Sequence, residues 1–218
     1  MRGIFLTGTG LYRDGMRLIQ NGFMTNLEPY GLERLEVVHG PASVIYGQAA
    51  PGGIVNAVTK RPRAGQRNEV GVEFGSHQRR QATADVGGAL NEQGTLLGRL
   101  TVLQRKAGTQ WDGLRSDRTF VAPALTFQGE RTSLTLLAQY QKDETGFAIP
   151  YWRETPFGEA DDSINVNGPG SFHRKRSTTV GYLFEHEFSD AFRVRQNLRY
   201  LDGENLRHEM RNLSLIHI

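Results

Sequence analysis

The sequence contains no cysteine in its 218 residues. A disulfide framework and a thiolate metal site are therefore excluded. Long apolar runs are also missing, and the mean hydropathy is -0.48, so a helical membrane protein, which needs roughly 18 or more consecutive apolar residues, is excluded as well. A membrane-spanning β-barrel is still allowed, because only alternate residues of its strands face lipid.

Charge of one sign is not concentrated anywhere in the chain. The 26 Lys and Arg residues are interleaved with 23 Asp and Glu residues, and the formal net charge is +3. This distribution is typical of a solvated surface, so we predict no nucleic-acid partner. The six histidines are scattered, and we predict no metal site.

Enzymatic signatures are weak or absent. Gly8, Thr9 and Gly10 begin like a dinucleotide-binding loop, but Arg13 occupies the position of the third glycine. The GxSxG and HExxH motifs do not occur. We therefore predict that the protein is not an enzyme and carries no cofactor.

Apolar and polar residues alternate in several segments, which indicates β-strands with two different faces. In the run FRVRQNLRY, for example, Phe192, Val194, Leu198 and Tyr200 share one face. The predicted strands lie near residues 68–75, 80–90, 94–105, 118–128, 132–143, 177–188 and 191–203. Alternation alone fits both a soluble sandwich with its apolar faces inside and a large barrel with its apolar faces toward lipid.

The connections between these strands favour the barrel. Every second connection is tight, so the tight turns share one rim and the long loops share the other, as in outer-membrane barrels. The longest connection, residues 144–176, is predicted to be a binding loop or disordered. It carries clustered aromatics that serve either a ligand surface or packing between loops: Phe147, Tyr151, Trp152 and Phe157.

The most distinctive segment is PYGLERLEVVHGPASVIYGQAAPGGIVNAVTKRP, residues 29–62. We expect Glu33, Arg34 and Glu36 to pair locally, and residues 37–38 to form a buried strand that Gly40 and Pro41 end. Three further glycines then permit tight bends: Gly47, Gly52 and Gly53.

This segment resembles the C-terminal half of the plug domain of TonB-dependent outer-membrane receptors. The run VGYLFEHEFSDAFRVRQNLRY and the ETGF start of the long loop resemble the early barrel of their ferrichrome and hydroxamate-siderophore branch. The resemblance implies a mainly β fold in two parts. Residues 1–63 would be the C-terminal part of the plug, and residues 64–218 would be about seven antiparallel strands of a transmembrane barrel of about 22 strands.

The resemblance also implies where a ligand would bind. One plug apex corresponds to Gly8, Thr9 and Gly10, and the second corresponds to Phe23 and Met24. The barrel contribution falls on Phe147, Tyr151 and Trp152. The chain departs from the family at the second apex, where a tyrosine is expected, and at His39, where an arginine often precedes the Gly-Pro pair. These departures put hydroxamate specificity and the strength of the plug lock in question.

The implied function is active import of a ferric siderophore across the outer membrane of a Gram-negative bacterium. The chelate is expected to be of the hydroxamate type and to supply its own iron ligands. The implied partners are the TonB–ExbB–ExbD energy-coupling complex and the lipid and lipopolysaccharide of the outer membrane. Since residues 1–15 lack a secretory signal and the family's TonB box, we expect a partial sequence. The alternative is a β-rich, non-transporting binding or adhesion module for a glycan or peptide.

Overall fold

The structure is a computed structural model that describes residues 10–18, 27–39, 53–146, 154–155, 158–159 and 170–208. These residues form two main β-sheets and a single turn of 3-10 helix, Pro29–Gly31. No helix within these ranges is long and apolar enough to cross a membrane.

The first sheet, called the small sheet below, has four strands in the order β2-β1-β4-β3. Strands β1 and β4 run parallel, and the other two pairs are antiparallel. Its core is formed by Tyr12 and Ile54, against which Val38 packs. The strands are β1 (Leu11–Arg13), β2 (Met16–Arg17), β3 (Leu32–His39) and β4 (Gly53–Thr59).

The second sheet, called the wall below, is a continuous antiparallel sheet of seven strands in the order β13-β12-β9-β8-β7-β6-β5. Its strands are β5 (Glu69–Gly75), β6 (Arg79–Ala89), β7 (Leu96–Lys106), β8 (Ser116–Gln128), β9 (Thr132–Thr145), β12 (Phe172–Ser189) and β13 (Phe192–His208). A separate two-stranded hairpin, β10 (Glu154–Thr155) with β11 (Gly158–Glu159), lies between β9 and β12.

The wall has one apolar face and one polar face, and the apolar face is the exposed one. Val72, Val180 and Tyr200 are 74%, 52% and 67% exposed. On the opposite face Gln141, Asp143 and Thr179 are almost completely buried. A soluble sandwich would show the reverse, because its apolar faces pack against each other. The mainly β, plug-and-barrel fold class predicted from the sequence is thereby confirmed, with apolar side chains directed to where lipid lies in a barrel.

The predicted strands are confirmed, but several extend further than predicted. The long connection is shorter than residues 144–176, because β9 continues to Thr145 and β12 already begins at Phe172. Within this connection the short hairpin β10–β11 forms. The extension of β12 carries buried polar residues, His173 and Lys175 among them, where the apolar alternation is weak and sequence patterning fails.

Two predictions for β3 were wrong. The strand forms, yet Val37 is 51% exposed, because β3 is an edge strand and this face of it has no layer packed on it among the described residues. Glu33 does not pair with its neighbours in sequence but with Arg63 and Arg99. The predicted local pair of Arg34 with Glu36 is confirmed, at 2.6 Å.

Backbone geometry explains two turn positions in the small sheet. Asp14 and Gly15 link β1 to β2 with φ values of 49° and 80°, the left-handed geometry of a two-residue hairpin turn that Asp-Gly favours. Gly53 begins β4 with φ of 114°, and a Cβ atom there would lie 2.1 Å from the carbonyl oxygen of Val38. Only glycine fits at that position.

The connection between the two sheets runs from residue 60 to residue 68. The predicted domain boundary between residues 63 and 64 falls within it, and stays a prediction.

Candidate functional site

The small sheet packs against the polar face of the wall, and the contact between them is called the seam below. Three groups of charged side chains, called the first, second and third anchors below, cross the seam. They lie at β12–β13, at β8–β9 and at β6–β7, respectively. Since the contacts spread over the width of the wall, the seam fixes the orientation of the small sheet as well as its position.

The first anchor holds the β1–β2 turn against β13. Asp14, whose side chain is fully buried, accepts a hydrogen bond of 2.5 Å from Nη2 of Arg199. It also accepts hydrogen bonds from the backbone N–H and the hydroxyl of Thr59. Asn197 donates to the backbone carbonyl of Asp14 at 2.7 Å. Burial by itself would raise the pKa of Asp14, but the hydrogen bonds from Thr59 and the charge of Arg199 lower it below 3.8 overall.

The second anchor joins the 3-10 helix to β8 and β9. Arg118 donates to both carboxylate oxygens of Asp143, at 2.6 and 3.2 Å, and to Glu28 at 2.5 Å. Glu28 caps the short helix by accepting from the backbone N–H of Tyr30. Gln141 donates to Oδ2 of Asp143 at 2.9 Å. One buried guanidinium thus bridges two buried carboxylates, one from each side of the seam.

The third anchor lies where the chain leaves β4. Lys60 contacts Asp85 on β6 at 2.6 Å, and Arg99 on β7 contacts the same carboxylate at 2.7 and 2.8 Å. Arg99 also donates to the backbone carbonyl of Arg61 at 2.9 Å and lies 3.5 Å from Glu33. Because these side chains are mostly buried, removing one partner would leave an uncompensated charge in a low-dielectric site.

A close apolar contact lies beside the second anchor. A Cβ atom placed on Gly31 would lie 2.3 Å from Cζ of Phe120. The ring of Phe120 is 2% exposed and therefore covers the backbone of the 3-10 helix directly. Glycine at position 31 permits this approach.

Arg13 occupies an unusual position near the first anchor. It is almost fully buried, and its two terminal nitrogens donate to neutral oxygens, of Gln139 at 2.9 Å and of Thr179 at 3.1 Å. Burial and the neighbouring charge of Arg199 lower the pKa of Arg13 to about 10. Arg13 stays protonated at neutral pH, but its charge has no direct carboxylate partner among the described residues.

Most predicted ligand-binding residues lie outside the described residues: Gly8, Thr9, Phe23, Met24, Phe147, Tyr151 and Trp152. Gly10 is buried, and its carbonyl accepts from the backbone N–H of Val55, which joins the start of β1 to β4. The ligand-binding role of all eight residues stays a prediction.

Some of the predicted plug-motif residues lie within the described residues and others lie outside them. Gly40, Pro41, Gly47 and Gly52 lie outside the described residues. Glu33 reaches the third anchor, and Glu36 accepts hydrogen bonds from Arg34 and Asn56 within the small sheet. His39 is exposed at the end of β3, and its predicted effect on the plug lock stays a prediction.

Sequence reasoning missed the residues that build the seam. Their signal was weak, because each is a single charged residue of a kind that is common on exposed surfaces. The Asp14–Gly15 dipeptide was the best available sign, since it predicts a tight hairpin turn. The long-range pairs themselves, such as Asp14 with Arg199, leave no local pattern.

The small sheet packs through charged side chains on the polar face of the wall, and the other face of the wall is apolar. This arrangement is typical of a membrane barrel that contains a plug. Comparison with known families agrees: residues 1–54 match the TonB-dependent Receptor Plug Domain. The ferrichrome outer membrane transporter/phage receptor of Escherichia coli K12 is 34% identical over 208 residues, which cover 88% of this chain. The ferrioxamine B receptor of Salmonella typhimurium SL1344 is 34% identical over 205 residues, also 88% of this chain.

Solved structures show the same fold. The ferric-catecholate import receptor Fiu of Escherichia coli K12 superposes with a TM-score of 0.82 and 24% identity, covering 96% of this chain and 34% of that one. The ferripyoverdine receptor of Pseudomonas aeruginosa gives a TM-score of 0.82 and 20% identity, covering 95% of this chain and 29% of that one.

The chain is therefore similar to part of the TonB-dependent receptors: residues 1–54 match their plug domain, and most of the chain aligns with the two relatives named above. It contains their plug-type sheet and the start of their barrel wall. It spans 27% of the length of the ferrichrome transporter and 29% of the ferrioxamine B receptor. These named relatives are transporters and receptors, not enzymes.

Proposed function

We propose that the protein containing this chain imports a ferric siderophore through the outer membrane by energy-coupled movement of its plug. The observation that carries this proposal is the inverted wall: polar side chains pack against the small sheet, and apolar side chains face outward. This arrangement argues against the alternative of a non-transporting binding module in water, because a large apolar surface would remain exposed.

The polar seam suits a plug that must move. An apolar contact would have to expose hydrophobic surface to water when the plug shifts, at roughly 25 cal/mol for each Å². Charged and hydroxyl groups can exchange their partners for water molecules at a much smaller net cost. The three anchors hold the small sheet in one position and still permit its release when a pulling force is applied.

The ligand proposed is a ferric hydroxamate siderophore. The two relatives named above are a ferrichrome transporter and a ferrioxamine B receptor, and both names support this chemistry. Hydroxamate oxygens occupy the coordination sphere of iron, so the protein contributes shape, aromatic surface and hydrogen bonds and performs no covalent chemistry. The proposed contacts are the predicted apex and loop residues given above.

The proposed partners follow from the family. The TonB–ExbB–ExbD complex would supply the energy that moves the plug. Outer-membrane lipid and lipopolysaccharide would cover the exposed apolar face of the wall, in which Val70, Leu136 and Tyr200 lie.

The function is tested with the full-length receptor, expressed in a strain that lacks its other siderophore receptors. We expect cells to bind and accumulate iron-55 supplied as ferric hydroxamates, and deletion of TonB to abolish accumulation but not binding. Ferric catecholates and haem serve as comparison ligands. If no ferric siderophore binds, the substrate proposal is wrong; if accumulation continues without TonB, the mechanism is wrong.

A further inference from the structure

The loop between β7 and β8, residues 107–115, folds back on itself and is called the arm below. At its base the backbone N–H of Ser116 donates to the carbonyl of Ala107 at 2.9 Å, and Gly108 forms an antiparallel bridge with Arg115. The arm lies at the same rim of the wall as the long connection between β9 and β12, because neighbouring antiparallel strands place every second connection at one rim.

On one side the arm contacts the turn between β5 and β6. The backbone N–H of Gly108 donates to the carbonyl of His77 at 2.8 Å. His77 and Gln78 have φ values of 55° and 58°, a left-handed geometry that hairpin turns usually assign to Asn, Asp or Gly. A Cβ atom on Gly108 would lie 3.2 Å from the carbonyl oxygen of His77. The two backbones are therefore in close contact, and this contact fixes one side of the arm.

On its other side the arm contacts Gly146, the residue that follows β9. The backbone N–H of Gly146 donates to the carbonyl of Arg115 at 3.2 Å. The side chain of Leu114 is only 3% exposed and packs directly on Gly146. A Cβ atom on Gly146 would lie 2.3 Å from Cδ2 of Leu114 and 2.7 Å from its Cδ1 and Cγ. Because the φ of Gly146 lies outside the left-handed region, glycine is needed there for space and not for backbone geometry.

Gly146 is the point at which the long connection leaves the wall. The preceding residue, Thr145, is still held in the sheet, where it pairs with Ser116 on β8 and His173 on β12. The residue that follows is Phe147, which the sequence predicts as a ligand contact. Since consecutive Cα atoms are about 3.8 Å apart, any displacement of Gly146 also displaces Phe147.

We propose that Leu114 and Gly146 are positioning residues for siderophore binding. The arm sets the direction in which the long connection leaves the wall, and thereby the position of the ligand contacts predicted in it. A binding group that is held in place before the ligand arrives loses less entropy on binding, so the arm raises affinity without touching the ligand. This inference rests on the proposed function and deepens it, because the arm itself contains none of the predicted ligand contacts.

The contact between Leu114 and Gly146 allows a test by size compensation. Gly146→Ala adds a methyl group at the place that the Leu114 side chain occupies, and Leu114→Ala removes all three atoms nearest to that methyl group. Leu114→Ala alone leaves a space beside Gly146 and should also weaken binding. If the two effects were independent they would add, and the double variant would bind most weakly. If the contact positions the connection, the double variant should bind more tightly than Gly146→Ala.

Binding is measured on the full-length receptor with iron-55 supplied as ferrichrome and as ferrioxamine B. We expect the dissociation constant of Gly146→Ala to rise about tenfold, within the usual effect of overpacking a buried contact, and the double variant to recover most of this loss. The maximal uptake rate at saturating siderophore should stay at the wild-type value for each receptor molecule in the membrane. A loss of folded receptor would lower the number of sites and leave their affinity unchanged.

The matched control is Gly170→Ala, the same substitution near the other end of the long connection. A Cβ atom on Gly170 would meet no heavy atom within 4 Å among the described residues, so this variant should bind as the wild type does. Equal dissociation constants for Gly146→Ala and Gly170→Ala would overturn the proposal. A double variant that binds more weakly than either single variant would overturn it as well.

A second measurement needs no siderophore. Spin labels are attached to cysteines introduced at Gln104, an exposed residue of β7, and at Ala148, and the distance between them is measured by pulsed electron paramagnetic resonance. We expect Gly146→Ala to shift this distance, the double variant to restore it and Gly170→Ala to leave it unchanged. An unshifted distance in Gly146→Ala would contradict the role of the arm. If the wild-type receptor bound no siderophore, the proposed function would be wrong, and the distances would still decide whether the arm positions the connection.

Discussion

Replacing Arg118 with methionine is expected to destabilise the seam by about 3–5 kcal/mol, the usual cost of removing one partner from a buried ion pair. Methionine roughly preserves the volume of the aliphatic stem but leaves Glu28 and Asp143 buried with no cation between them. The two carboxylates would then have to take up a proton or admit water. Hydrogen exchange in the full-length receptor should show faster exchange in the 3-10 helix and β3.

The control for this substitution is Arg174→Met. Arg174 pairs with Glu144 at 3.2 Å, but both side chains are partly exposed, at 43% and 28%. Such pairs contribute only about 0–1 kcal/mol. If Arg118→Met changes exchange no more than Arg174→Met does, the second anchor does not hold the small sheet.

Replacing Asp14 with asparagine should loosen the first anchor, by about 3 kcal/mol at neutral pH. Asparagine tolerates the positive φ of 49° at this position and keeps an acceptor for the backbone N–H of Thr59. It removes the charge that pairs with Arg199 and, at 3.4 Å, with Arg61, so these two arginines lose their carboxylate. Hydrogen exchange of β1 and β4 should show an opening equilibrium roughly a hundredfold larger.

The pH dependence of this anchor follows from the lowered pKa of Asp14. A carboxylate whose folded pKa lies below its unfolded value of 3.8 stabilises the fold above that value. Its contribution is lost as the pH falls through the folded pKa. Wild-type protection of β1 should therefore stay constant from pH 7 to about pH 5 and decline only at stronger acidity, and Asp14→Asn should lack that part of the decline.

Local sequence patterns predicted the strands but not the contacts between the sheets. Alternation in FRVRQNLRY places Leu198 and Tyr200 on one face, and the structure confirms that face as exposed. The alternation could not show whether the apolar face lies inside or outside, because a sandwich and a barrel share the same period. The order of tight and long connections favoured the barrel over the sandwich. That order depends on where each connection falls in the sequence of strands and not on which residues are buried.

The contacts of the seam could not be predicted from the sequence, and the reason is physical. Arg13 meets Thr179 and Asp14 meets Arg199 across 166 and 185 positions of the chain. No periodicity connects residues at such distances, and every partner is also a common surface residue. The prediction for Val37 was wrong for a different reason. Its apolar neighbours in sequence predict burial, but its actual burial depends on which strand lies at the edge of the sheet.

The orientation of the wall is the central claim, and site-directed spin labelling tests it most directly. Single cysteines are introduced as the label sites, and the 218 residues of this chain add no cysteine of their own. In the full-length receptor in lipid, labels at Leu136, Val180 and Leu198 should be accessible to oxygen dissolved in the bilayer and shielded from a water-soluble nickel reagent. Labels at the inward positions Thr135 and Ser177 should show no such lipid exposure. Lipid exposure at Thr135 and Ser177, with shielding at the three apolar positions, would contradict the account.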